Sequence, residues 1–507
     1  MRKTYTPVVT LFALILLSGC YKPGPGAESW RVSGLDGGGE DLTAPTTEII
    51  DRVQGLSYQP NNVTPTPNIP IIMPTQRSET VVYTVAAGDT LATIASQYQV
   101  SLQDIVTLNN IYNINLIEVG QDLLIPPPSY EQTAPNFKII PDSELIYSPS
   151  NAGFDIVQFV KQQEGYLSAY SEIVDEDTMS GVDILERVAA EYSVNPRLLL
   201  TVLEYQSGWV TDPDPDSTTL VYPMLFYDSG REGLYKQLAW AANLLNEGFY
   251  LWQLNAITAW LVSDFSVVLV DPTINPGTAG VINLIRYLTS GSEWEQAISE
   301  NGIYATYYGF FGNPFQAVIE PMVPKTLSQP DLQLPFESGW VWSFTGGPHG
   351  GWDTGSAWAA LDFAPPGDSL GCFTSNAWVT ASGPGEIVYA DYGAVIQDLD
   401  GDGVWQTGWS ILYMHIAPTE RVEVGEALEA GDRIGHPSCE GGFSTGTHLH
   451  IARRYNGEWI AADGDLPFVM DGWTSEGYGF EYDGYLVKGD ITLEAWNGRA
   501  TFNAIER

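Results

Sequence analysis

The residues His448, Leu449, His450 and Ile451 alternate polar and apolar side chains, a period of two that an extended strand satisfies and a helix does not. On such a strand both imidazoles point one way, and Leu449 and Ile451 point the other way, into a core. The constraint is severe because all five histidines of this 507-residue chain lie between His349 and His450. His349 ends Gly-Gly-Pro-His, Asp362 follows in Ala-Leu-Asp-Phe, and His415 ends Leu-Tyr-Met-His. From Trp409 to Ile416 the same alternation places Ile411, Tyr413 and His415 on one face, with Leu412, Met414 and Ile416 on the other. The fold is expected to set these segments side by side, so that a third imidazole approaches the first two.

Zinc at a catalytic site typically takes three protein ligands of N and O type and leaves a fourth position open. His349, Asp362 and one member of the His448/His450 pair supply such a set. The histidines left over answer the other needs of hydrolysis, a base for the proton of water and a donor for the developing oxyanion. Structural zinc sites generally close the fourth position with Cys or His, and neither Cys372 nor Cys439 stands at ligand spacing from the histidines. His436, in Ile-Gly-His-Pro, reads as a solvent-exposed turn residue.

At these residues the chain from Leu334 to Arg507 resembles the lysostaphin/LasA/β-lytic class of zinc metalloendopeptidases, which cut peptide bonds in bacterial cell walls. The long gap between His349 and Asp362 is similar to the LasA and β-lytic branch rather than to the lysostaphin branch. The resemblance implies one zinc ion held by His349, Asp362 and His450, with His448 as general base and His415 as partner for the oxyanion. Members that have lost catalysis and activate other wall hydrolases usually lack some of these ligands. Here every position is filled, which favours an enzyme over the alternative, a non-catalytic peptidoglycan-binding activator.

The start of the chain bears on where such chemistry takes place. Arg2 and Lys3 precede an apolar run from Val8 to Leu17, too short for a stable membrane span and shaped like a signal peptide. Leu17, Ser18, Gly19 and Cys20 resemble the bacterial lipobox, which implies lipidation of Cys20 and a membrane anchor through that lipid. Removing Cys20 from the count leaves Cys372 and Cys439, an even pair in an exported chain, and a disulfide between them is expected. Residues 21–79, rich in Pro, Gly, Thr and Asn without apolar periodicity, read as a flexible tether.

Composition changes at Val81. A short strand, a turn at Gly88-Asp89 with Asp89 capping a helix, a second helix from Ser101 with Asp104 as in a capping box, and a closing strand through Leu123 to Ile125 are expected. This order and the words Gly-Asp-Thr-Leu, Leu-Asn-Asn and Val-Gly-Gln-Asp-Leu-Leu-Ile-Pro make residues 80–128 resemble a LysM domain. The resemblance implies binding of peptidoglycan or chitin glycan through Gly88, Asp89, Thr90 and Leu91 and the segment near Asn115 to Glu118.

Residues 135–329 read as mostly helical, with helices from Asp183 to Tyr192, from Asn195 as N-cap to Gly208, around Leu234 to Leu245, and from Val281 to Leu288. The stretch from Val194 to Trp209 resembles the start of a lysozyme-like transglycosylase domain, but Gln206 stands where the catalytic glutamate belongs. An amide cannot supply the proton that glycosidic cleavage needs, and Glu204 faces away by about 200° on a helix. The region is therefore expected to be non-catalytic, a glycan-binding relic or a spacer.

Asp398, Asp400, Asp402 and Gly403 resemble the first half of a calcium loop, yet Trp409 occupies the twelfth position, where a bidentate Glu is expected. A tight hairpin turn accounts for them equally well. Sixty-two acidic residues against twenty-one basic give a net charge of −41, which argues against nucleic-acid binding. Trp352, Trp358, Trp459 and Tyr478 are candidates to line a groove, with core packing as the default for each. The expected whole is a multidomain chain: a small βααβ LysM module, a mostly α-helical middle domain and a mainly antiparallel-β C-terminal domain at 334–507, each with its own core.

Overall fold

The computed structural model describes residues 77–507 apart from 99, 115, 129–132 and 368. The expected signal segment, Cys20 and almost all of the expected tether lie outside the described residues, as does Asn115. Among the described residues no helix is long and apolar enough to cross a membrane.

The first unit pairs β1 (Val81–Thr84) antiparallel with β2 (Asp122–Ile125), Val81 opposite Ile125. Helices α1 (Leu91–Tyr98) and α2 (Leu102–Asn109) lie between them in the chain. Alternate residues of β2, Leu123 and Ile125, pack with Leu91, Ile94 and Ile105, so the βααβ order follows from one shared apolar face. Ser101 caps α2 by accepting from the Asp104 N–H. Asp89 does not cap α1: its carboxylate closes the preceding turn by accepting from Ala86 N and Tyr83 Oη, each at 2.7 Å. Thr90 takes the capping role through Thr93, whose N–H reaches its hydroxyl at 3.1 Å.

The helical region follows. The hairpin β3 (Ser171–Val174) and β4 (Asp177–Ser180) turns on Asp175 and Glu176, both at positive φ, as a two-residue I′ turn requires. Helix α3 (Gly181–Tyr192) starts from a capping box between Ser180 and Asp183. Helix α4 (Pro196–Ser207) is capped by Asn195 and ends at Gly208, φ 68°. The long α5 (Leu234–Gln253) is buried along most of its length, and α6 (Pro276–Ile285) packs across it. Helix α6 begins before the expected Val281 because Asn275-Pro276 starts it; Pro at the first position lacks only an N–H that the helix would leave unpaired.

The C-terminal region is built on a nine-stranded antiparallel sheet. Its strands are β5 (Val341–His349), β6 (Ala360–Ala364), β7 (Gly385–Asp391), β8 (Ala394–Asp398), β9 (Trp409–Met414), β10 (Ala427–Leu428), β11 (Leu449–Tyr455), β12 (Glu458–Trp459) and β13 (Ala504–Glu506). They run in the order β10, β7, β8, β9, β11, β6, β5, β13, with β12 paired to β11. Leu449 and Ile451 of β11, Ile411 and Tyr413 of β9, and Leu361 and Phe363 of β6 fill the core on one face. Leu412, Met414, Ala452 and Ala360 alternate onto the opposite face, and there they meet the helices.

The expectation of separate cores for the middle and C-terminal regions fails at this face. One buried apolar cluster runs from Leu198, Leu245 and Ile282 of the helices to Leu412, Met414, Trp405 and Trp459 of the C-terminal region. Polar contacts stitch the same seam: Tyr250 Oη accepts from Trp459 N at 2.9 Å, Ser193 Oγ donates to Gly457 O at 2.6 Å, and Asn456 Nδ2 donates to Met322 O at 2.8 Å. A two-faced sheet that buries both sides needs a second layer, and the helices are that layer.

Candidate metal centre and catalytic cleft

Sheet register brings the candidate residues together. His450 lies directly opposite Asp362 across β11 and β6, and Met414, the residue before His415, lies opposite His450 across β9 and β11. Strand β5 is bulged on either side of Gly346, and the irregular register turns its last residue, His349, toward Asp362. Gly346 is required here, since a Cβ on it would sit 2.7 Å from Asp362 Oδ2. His415 does not follow the strand alternation that its sequence suggests. Strand β9 ends at Met414, and His415 takes a left-handed φ of 68°, which lifts it off the face of Ile411 and Tyr413 and onto that of His450. The expected approach of a third imidazole is realised by a backbone break, not by period.

Each ring is oriented by one backbone carbonyl. His349 Nδ1 meets Gly347 O at 2.8 Å, His415 Nδ1 meets Glu440 O at 2.9 Å, His448 Nδ1 meets Gly446 O at 2.7 Å, and His450 Nε2 meets Gly351 O at 3.0 Å. A carbonyl only accepts, so the ring proton sits on the outer nitrogen of every neutral ring and the inner nitrogen presents a lone pair. Those inner nitrogens converge. His349 Nε2 and His450 Nδ1 are 3.0 Å apart, and Asp362 Oδ1 lies 3.2 Å from the first, 3.3 Å from the second and 3.6 Å from His448 Nε2.

Asp362 Oδ1 is buried and no hydrogen-bond donor reaches it. Two lone pairs and an orphaned carboxylate oxygen facing one point would repel one another unless a cation lay between them. His349, Asp362 and His450 are all buried and their ligating atoms lie within 4.8 Å of one another. The donor set, two nitrogens and one oxygen, suits a borderline-soft divalent ion such as zinc. Burial pushes His450 and His415 below the ordinary imidazole range, His415 strongly so beside His448 and His450. Burial disfavours charge on Asp362 too, but positive charge facing it, from His349 and His448 when protonated, outweighs burial and holds the carboxyl well below its usual range.

Around this point opens a cleft of about 1560 Å³. One wall is the helical region, through Ile173 and Glu176 of the β3–β4 hairpin, Tyr192 at the end of α3 and Tyr235 of α5. The opposite rim is a pair of loops bearing Leu370 and Phe443, both strongly exposed. These loops are joined by the Cys372–Cys439 disulfide, Cα atoms 5.6 Å apart, and by Thr447, which donates to Phe373 O and accepts from Phe373 N. Tyr482 also lines the cleft and stacks on His349 at 4.2 Å between ring centres. No sequence signal marks Tyr482, because the loop that carries it lies 133 residues beyond His349 and meets it only through folding.

Other expectations are corrected. His436 is not exposed: it is 7% accessible, its ring bonds Ala377 O at 2.9 Å and Glu420 at 3.1 Å, and Trp378 packs over it. Leu91 is 1% accessible in the core of the first unit, so its side chain cannot meet a sugar, whereas Gly88 and Thr90 are exposed. Trp459 is core and Trp352 lines the cleft. Glu204 accepts from Val210 N, Thr211 N and Thr211 Oγ1 at 3.0, 3.1 and 2.6 Å, which ties its carboxylate to the turn after α4. Asp398, Asp400 and Asp402 come together, but Asp398 accepts from Gly403 N and Asp402 from Val404 N and Thr407 Oγ1. The calcium reading gains no support from a loop whose carboxylates serve its own turns.

Residues 83–126 match the LysM domain family, 138–325 match "LasA, N-terminal domain", and 369–462 match "Peptidase family M23". The last match contains His415, His448 and His450 and begins beyond His349 and Asp362. The chain is 24% identical over 341 residues to protease LasA of Pseudomonas aeruginosa, strain UCBPP-PA14, covering 64% of this chain and 75% of that one. It is 48% identical over 44 residues to the secreted LysM effector ECP6 of Passalora fulva, covering 9% and 19%. Among solved structures, the M23 metalloprotease pseudoalterin from the deep sea is 22% identical, with 36% of this chain and all of that chain covered (100%) and a TM-score of 0.29. The catalytic domain of lysostaphin from Staphylococcus simulans is 23% identical, with 25% and 89% covered and a TM-score of 0.17. The middle region thus matches a LasA-type N-terminal domain. The C-terminal region carries a match to the M23 peptidase family, and a match to the LysM family lies ahead of it in the chain.

Proposed function

We propose that the chain is an exported, lipid-anchored zinc endopeptidase that hydrolyses the cross-links or stem peptides of peptidoglycan. The observation that carries this reading is the convergence of three imidazole nitrogens, of His349, His448 and His450, on one buried carboxylate oxygen of Asp362 that no donor reaches, each ring set by its own carbonyl. His349, Asp362 and His450 would hold the zinc ion. Bound there, zinc supplies Lewis-acid polarisation of the scissile carbonyl and of the attacking water.

The remaining work falls to the chain's own residues. The Nδ1 protons of His448 and His415 are committed to Gly446 O and Glu440 O, which leaves Nε2 of each as the basic atom. The side chain of His448 is 18% accessible and His415 is 1% accessible. His448 is therefore suited to take the proton of water and exchange it with solvent, and His415 to share that proton as a donor to the oxyanion. Their rings lie 4.4 Å apart between centres, close enough to act as a pair.

Substrate delivery falls to the LysM module, whose exposed Gly88 and Thr90 border its candidate glycan surface. The Cys20 lipid and the 21–79 tether would hold the folded parts at a membrane surface. Purified peptidoglycan incubated with the chain lacking residues 1–20, with and without a zinc chelator, tests the whole reading. New peptide amino termini that vanish with chelator are expected by mass spectrometry. Intact wall, or glycan breaks that resist the chelator, would move the function to binding or to another region.

A further inference from the structure

The outer nitrogen of His450, Nε2, bonds Gly351 O at 3.0 Å. The place of that carbonyl therefore sets which way Nδ1 looks. Gly351 belongs to the loop 350–357 between β5 and β6. The loop closes on itself through Gly351 N to Ala357 O at 3.0 Å and Trp352 N to Ser356 Oγ at 2.9 Å.

Its far end is seated on the helices. Gly355 N donates to Asn243 Oδ1 of α5 at 2.7 Å, and Asn243 Nδ2 donates to Thr354 Oγ1 at 3.3 Å. Tyr192 Oη, at the end of α3, donates to Asp353 Oδ2 at 3.1 Å, and its ring meets that of Trp352 edge-on at 6.3 Å. The approach is so close that a Cβ on Gly355 would lie 2.1 Å from Asn243 O. A loop joining two neighbouring strands has no need of such a mooring for its own sake, because its ends are already held in the sheet.

We infer that the helical region is a positioning element of the metal centre: Asn243 and Tyr192 hold the 350–357 loop so that the Gly351 carbonyl aims His450 at the metal. This rests on the reading of His450 as a zinc ligand. Neither Asn243 nor Tyr192 is among the metal-ligating residues, and although Tyr192 also lines the cleft, both reach the metal centre through the loop. Partners that orient a metal-binding histidine from its outer nitrogen tune affinity as well as activity. The helical region is then part of the zinc site in thermodynamic terms, and its damage is read in zinc affinity even where no substrate is present.

The full chain, stripped with chelator and titrated with zinc against a chromophoric competitor, gives the test. Asn243→Ala removes both loop bonds, and Gly355→Ala lifts the loop from α5; each is expected to weaken zinc binding about tenfold to a hundredfold. Asn243→Asp keeps an acceptor for Gly355 N and should stay within about threefold of wild type. Tyr192→Phe deletes one hydroxyl and changes no backbone; a weakening of at least about threefold is expected from it, which keeps the inference testable if the other variants fold poorly. Tight zinc binding by wild type with the same affinity in folded Asn243→Ala, Gly355→Ala or Tyr192→Phe would overturn the inference alone. A wild-type chain that binds no zinc would overturn the metal reading, and this inference with it.

Discussion

Replacing Arg187 with Met should loosen the seam between helices and sheet. Arg187 is buried on α3. Its Nη2 lies 2.7 Å from Asp175 Oδ2 at the hairpin tip, and its Nε lies 2.8 Å from Glu191 Oε1. Its guanidinium also lies over Tyr235 of α5 at 4.6 Å and over Tyr392 of the C-terminal region at 3.8 Å. One side chain thus joins the hairpin, two helices and the β7–β8 turn. Removing one member of a buried ion network strands the others and costs about 3–5 kcal/mol. In a body of this size roughly 2 °C of melting temperature is lost per kcal/mol, so a fall of about 6–10 °C is expected by calorimetry at pH 7. The cause is the stranded carboxylate of Glu191, whose side chain is 2% accessible. Adding Glu191→Gln to Arg187→Met should therefore recover about half of the loss. A single variant that melts within about 2 °C of wild type would refute the reasoning. So would a split transition in which the C-terminal region melts at its original temperature, because one shared core requires both regions to lose stability together.

Asp362→Asn should abolish retention of zinc on dialysis, measured by atomic absorption, because the amide cannot supply the anionic oxygen the two imidazoles face. His415→Ala should keep the metal yet lower kcat by about 10²–10³-fold, the usual loss for one transition-state donor, in a peptide-release assay. Replacing Cys372 and Cys439 by Ser opens a loop of 67 residues and should cost about 4 kcal/mol in chemical denaturation. Asp398 supplies a pH test: burial and then the neighbouring Asp400 carboxylate push it up to about 8, so the folded state binds a proton the unfolded chain releases near 4. That contribution to stability is whole below about pH 4 and is lost as pH rises through 8. Asp398→Asn should flatten the fall in melting temperature between pH 5 and pH 9.

Local signals were read well where one element decides the outcome. The capping box at Ser180 and Asp183, the Asn195-Pro196 start of α4 and the Ser101 cap each depend on residues within three positions of one another. The same holds for His448 and His450, whose common face follows from a period of two. Signals failed where an alternative partner outside the window won. Asp89 went to Tyr83 and Ala86 instead of capping α1, and His436 found Ala377 and Glu420, 59 and 16 residues away.

The residue types and spacings from His349 to His450 by themselves pointed to a metal site, because three of these side chains make a donor set of N and O type that such a site uses. Tertiary structure alone decided how they meet. The His450–Asp362 register, the bulge at Gly346 and the left-handed turn at His415 each depend on strands far apart in the chain. Only tertiary structure, too, joined the helices to the sheet in one core and moored the His450 loop on Asn243. An apolar sheet face announces that something must cover it, but which segment does so is settled by the packing of whole surfaces, and no local pattern encodes that.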